Sequence, residues 1–182
     1  MASTDKPTKL KAPRVLVLIT PAHKRFAQSL GLSERFMIEL LKEDDWSFVI
    51  KLHALMETAL TRALSNRYGA PPALAEHFAQ SSMGGPAGKI ILAYESDLIT
   101  KQMRMYLERL GELRNGRVHS AEQIHFDFKS YVSCLEDKKR KQLAAAVVRH
   151  LGKEAAEKHL LEDPQSAFIM AGELVLSKLI HA

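Results

Sequence analysis

The chain of 182 residues is 46% apolar and 26% charged, the balance of a globular protein with its own core and not that of a disordered or membrane-embedded chain. A single cysteine, Cys134, excludes an internal disulfide and a cysteine-rich zinc site, and the longest apolar run, Val15 to Ile19, is far below the roughly 20 residues a spanning helix needs. The formal net charge of +5 favours a polyanionic partner such as RNA, because Lys and Arg gain by displacing counterions from phosphate.

Residues 1–13 are rich in Lys, Thr, Ser and Pro, with too little apolar surface to offset the entropy of ordering, and read as a flexible basic arm. Residues 14–182 then form one helical domain, the default for this length. The run Arg14 to Ile19 is too short for periodicity to separate a buried strand from a helix edge. Thr20, Pro21 and His23 close it too early for a secretory signal, so the expected location is cytoplasmic, with no membrane association.

Thr20 before Pro21 is an N-cap and first-turn pair, and Gly31 is a stop, which predicts a short helix between them. Ser33 begins another through Leu41. From Asp44 or Asp45 to about Tyr68 the positions Phe48, Leu52, Leu55, Met56, Ala59, Leu60 and Ala63 recur at helical spacing, ended by Gly69-Ala70-Pro71-Pro72. A short helix follows around Ala73 to Gln80, then a break at Ser81 to Pro86 and a helix over Lys89 to Glu95.

The stretch Asp97 to Leu113 carries Ile99, Met103, Tyr106, Leu110 and Leu113 on one stripe, and Asn115-Gly116 reads as its terminator or a kink. Asp127 caps a helix carrying Val132, Leu135, Leu143 and Val147 up to Gly152. A last helix, split or bent near Asp163-Pro164, bears Phe168, Ala171, Leu174, Val175, Leu176 and Ile180. With no strand pattern and no repeat, the fold class is all-α: an up-and-down helix bundle with short accessory helices.

Three polar residues interrupt this apolar logic. Glu57 shares a stripe with Ile50, His53, Leu60 and Leu64, which puts its carboxylate at the core edge or within it and calls for a partner. Arg114 continues the stripe of Met103, Leu107 and Leu110, which turns a guanidinium to the same interior and makes it the expected partner of Glu57. His119 lies five residues on, about 140° away on an unbroken helix, so a bend at Gly116 is needed to swing it back toward Arg114. An imidazole and a fixed guanidinium together suit phosphodiester chemistry without a metal: one moves a proton at near-neutral pH and the other holds phosphate charge.

The segment Leu113-Arg114-Asn115-Gly116-Arg117-Val118-His119 resembles the Arg-x4-6-His signature of the HEPN superfamily, including the polar residue after the Arg. With the Glu57 helix and Gly88-Lys89-Ile90-Ile91-Leu92-Ala93-Tyr94, the resemblance is to the mannitol-operon repressor-like branch over roughly Asp44 to Leu135. It implies a helical bundle, a homodimer with facing motifs, and a metal-independent endoribonuclease in which Arg114 and His119 are catalytic, Asn115 supports them and Glu57 orients Arg114. An antitoxin or regulatory partner belongs to the same expectation. The alternative it carries is a non-catalytic transcriptional regulator or protein-interaction module.

No cofactor or metal is expected. The eight histidines include no His-Glu-x-x-His pattern, and Gly84-Gly85-Pro86-Ala87-Gly88-Lys89 lacks both the leading Gly and the Ser or Thr of a phosphate loop. The clusters Lys6, Lys9, Lys11, Arg14 and Lys138 to Lys141 read first as solvated surfaces.

Overall fold

The computed structural model describes residues 20–118, 125–148 and 153–181. The arm, the run Arg14 to Ile19, His119 and the predicted helix end at Gly152 lie outside them. Every regular element among the described residues is helical: α1 (Pro21–Ser29), α2 (Phe36–Leu40), α3 (Asp45–Arg67), α4 (Pro72–Gln80), α5 (Lys89–Glu95), α6 (Lys101–Val118), α7 (Phe128–Ser133), α8 (Asp137–Val147), α9 (Lys153–Glu162) and α10 (Pro164–Leu179). The all-α bundle is as expected.

The centre is α3, which packs against α10, α5, α6, α4 and α2. Its predicted apolar positions from Phe48 to Ala63 are all buried, and they meet Tyr106, Leu107 and Leu110 of α6 and Phe168 and Ile169 of α10 in one core. Phe168 joins the layers through aromatic contacts to Tyr106 and Phe128, with ring centroids 5.9 and 5.0 Å away. Asp44 caps α3 by accepting from Ser47 N at 2.9 Å. Its neighbour Asp45 instead ties the helix start to distant chain, accepting from Phe128 N at 2.7 Å and Gln165 Nε2 at 2.6 Å.

Several boundaries depart from the pattern in the sequence: α2 begins at Phe36 with Arg35, not Ser33, at its N-cap, and α6 begins at Lys101 and not at Asp97. The helix capped by Asp127 stops at Ser133 and restarts at Asp137, because Arg140 turns back onto the intervening Leu135 carbonyl at 3.1 Å while reaching Glu157 of α9 at 2.8 Å. Asn115-Gly116 does not end α6: the helix runs on to Val118 and Gly116 does not adopt a positive φ, so a change of direction that brings His119 back toward Arg114 would have to follow Val118. The reversal at the other end of this stretch is at Asp97, with φ 58°, between α5 and α6.

Glycines inside the helices give opposite expectations. A Cβ at Gly111 in α6 meets nothing within 4 Å, so Gly111→Ala should stabilise the fold by about 0.5–1 kcal/mol through helix propensity and the unfolded chain. A Cβ at Gly172 in α10 lies 2.9 Å from the hydroxyl of Tyr106, a fully buried side chain bonded to the Phe168 carbonyl. Gly172→Ala should therefore lower stability, and urea unfolding of the two variants checks both signs.

The short α1 is held to α10 by a buried polar pair. Its capping box uses His23, whose Nδ1 accepts from Thr20 N at 3.3 Å, while Nε2 sits 3.2 Å from Glu173 Oε2. Although this distance is that of an ion pair, Nε2 has no well-aligned hydrogen bond, and burial drives both groups toward their neutral forms. Burial, aided by nearby His181, holds His23 below the usual imidazole range, and burial lifts Glu173 to about 7.

A carboxyl raised on folding contributes stability that is complete below its unfolded value and lost as pH rises through the folded one. Glu173→Gln should thus gain on wild type between pH 5 and pH 8 by about 2–3 kcal/mol, read from urea midpoints at each pH. The His23 shift acts in the opposite sense, weakening both proteins below about pH 6.5.

Candidate functional site

The polar cluster lies where α3, α5 and the end of α6 meet. Lys89 enters it from a compact turn: Lys89 N and Ile90 N donate to Ser82 O and Met83 O, each at 3.0 Å. Gly88 must be glycine there, because a Cβ would stand 2.2 Å from the Gly84 carbonyl oxygen. The glycine-rich run therefore delivers a lysine inward. Its side chain is 1% exposed, with Nζ donating to Glu57 Oε1 at 3.1 Å and to Ala79 O at 3.2 Å.

Glu57 is at the core edge as its stripe required, with a third of its side chain exposed. Its cation is Lys89, and this corrects the expected pairing: no ion pair joins Glu57 to Arg114 among the described residues. A buried ammonium leaves water only if a carboxylate and further acceptors replace its hydration, and Glu57 with the Ala79 carbonyl supplies them.

His53, one turn before Glu57, is buried, and its Nδ1 lies 3.9 Å from Glu57 Oε2. Burial first, then the positive charges of Arg114 and Lys89, hold His53 below the ordinary imidazole range, against the opposing pull of Glu57. It is neutral at pH 7. Arg114 follows the buried Leu107 and Leu110 on one stripe of α6, the helix that packs against α3 and α5.

Arg114 itself is half-buried and donates through Nη1 to Asn115 Oδ1 at 3.0 Å. Thus the structure brings Glu57 and His53 together with Lys89, brings Arg114 to Asn115, and sets the two groups on facing helices. Among the described residues the guanidinium donates to Asn115, and its planar fork of N–H donors suits a phosphate. Among the described residues no group of three or more His, Cys, Asp or Glu is placed to hold a metal ion.

No protein-family model, curated protein or solved structure gives a significant match to the chain. Two residues of the site, His53 and Lys89, were absent from the set inferred from sequence. For Lys89 a signal existed: a lysine directly after a glycine turn and directly before the apolar run Ile90 to Ala93 begins a helix whose first turn is buried. For His53 the signal was its place on the same stripe as Glu57.

Proposed function

We propose that the chain is a HEPN-like, metal-independent endoribonuclease in which Arg114 holds the scissile phosphate and His119 moves the proton. The observation that carries this reading is the half-buried Arg114 near the end of α6, bonded to Asn115 Oδ1, on a helix that packs against the α3 and α5 helices bearing His53, Glu57 and Lys89. The imidazole of His119 accepts the proton of a ribose 2′-hydroxyl, the 2′-oxygen bonds to the adjacent phosphorus, and the bond from phosphorus to the 5′-oxygen breaks. The leaving 5′-oxygen takes up a proton. The products are a 2′,3′-cyclic phosphate and a 5′-hydroxyl end.

The resemblance supplies two further parts of the proposal, a homodimer with facing motifs and a regulatory or antitoxin partner. A second reading, a non-catalytic regulator of the mannitol-operon repressor-like kind, is favoured by one specific feature. Glu57 is committed to Lys89, so it serves the fold whether or not Arg114 reacts. Cleavage of mixed RNA by purified protein in excess EDTA, beside His119→Ala, separates the two. Loss of cleavage in the variant supports the enzyme, and equal behaviour of the two proteins supports the regulator.

A further inference from the structure

A cleft of about 280 Å³ opens between α6, α7, α8 and α10, beside the last turns before Arg114. Its floor is apolar, with Phe168 and Leu143 buried, and half-buried Tyr131 also lines it. Arg109, Lys139 and Gln142 supply its polar groups. The volume is at the lower end of ligand sites, enough for one planar ring system and too small for a large cofactor.

We propose that this cleft is a subsite for one nucleotide of single-stranded RNA, with the base against Tyr131, its edge met by the Gln142 amide, and a phosphate between Arg109 and Lys139. The proposal rests on the reading of the chain as an RNA-cleaving protein and places a nucleotide away from the scissile bond on the same strand. An aromatic face over an apolar floor takes any base by stacking, and an amide that both donates and accepts can read its edge.

The two cations are engaged only loosely. Arg109 meets Glu112 at 2.5 Å and Lys139 meets Glu136 at 3.5 Å, but all four side chains are between 39% and 75% exposed. Exposed pairs of this kind contribute little, so a phosphate competes for both cations. Leu113, which also lines the cleft, is the residue before Arg114, and Arg109 precedes Arg114 by about 7.5 Å along the helix axis. Arg109 and Arg114 are also about 140° apart around α6, so a strand reaching both crosses the helix, with more than one nucleotide between the cleft and the guanidinium.

The test is titration of the full-length His119→Ala protein with uridine and adenosine 5′-monophosphate and separately with inorganic phosphate, followed by calorimetry. The nucleotides should bind more tightly than phosphate. Tyr131→Ala should weaken them about tenfold through lost stacking. Because Tyr131 packs on the core, the exposed Lys139→Ala and Gln142→Ala variants carry the decision: both should weaken nucleotide binding, whereas Glu112→Gln, which frees Arg109, should tighten it. Nucleotides no tighter than phosphate, or binding indifferent to Lys139 and Gln142, overturns the subsite. Binding with the expected dependence but no RNA cleavage by wild type supports the subsite and overturns the catalytic reading. Cleavage that needs Arg114 but ignores Lys139 and Gln142 does the reverse.

Discussion

Replacing either Arg114 or His119 by alanine should lower RNA cleavage in EDTA by about 10²–10⁴-fold, the range a positioned proton-transfer group or a charged donor at the reacting phosphate commands. For Arg114→Ala the loss should come without unfolding. Among the described residues, half-buried Arg114 bonds to the Asn115 side chain and forms no ion pair with a carboxylate. Asn115→Ala, which removes that hydrogen bond, should give a smaller loss than Arg114→Ala. Melting temperatures beside initial rates make the measurement complete: cleavage by Arg114→Ala at the wild-type rate would sink the assignment, and a melting point that fell with the rate would make the loss structural.

Glu57→Ala should be the most destabilising single change at the site, costing about 2–4 kcal/mol, because it strands a buried ammonium with a lone carbonyl acceptor. The partial exposure of Glu57 holds the figure below that of a fully buried pair, since water can follow into the gap. The reverse change, Lys89→Met, should cost less, because the Glu57 carboxylate can turn to solvent while the methionine stem fills the space of the lysine. A paired Glu57→Leu, Lys89→Met variant should recover much of the loss. Urea unfolding of the four proteins, with Arg114→Ala as reference, decides the point: if Arg114→Ala cost as much as Glu57→Ala, the carboxylate would depend on Arg114 after all.

These two expectations are separable only because the structure reassigns the carboxylate. Had Glu57 paired with Arg114, one substitution would have disturbed stability and chemistry together. With Lys89 as its cation, Glu57 secures the wall on which His53 sits, and Arg114 belongs to α6, which packs against that wall. Removal of Arg114 therefore tests chemistry, and removal of Glu57 tests the fold.

The pattern along the chain was sufficient for the helices and their faces. Helical spacing from Phe48 to Ala63 marks a buried stripe whatever lies opposite, and the caps Thr20, Asp44, Asp127 and Asp163 act within three residues of themselves, so both could be read locally. The same stripe marked Glu57 as a carboxylate at the core edge in need of a cation. What it could not supply was the identity of that cation, because Lys89 is 32 residues away and reaches Glu57 only through the packing of α5 on α3. The Asn115-Gly116 pair misled for a related reason: turn propensity is worth about 1 kcal/mol, and the burial of Leu110 and Leu113 in the core holds the α6 helix through it. Asp45 shows the division most plainly. Its sequence position made it a candidate helix start, and only the arrival of Phe128 and Gln165, 83 and 120 residues later, made it the joint between three helices. Local propensity and periodicity thus determined which helices form and which faces they bury, whereas partners across the core were decided by tertiary packing, because the ion pairs and long-range hydrogen bonds exist only once the helices have met.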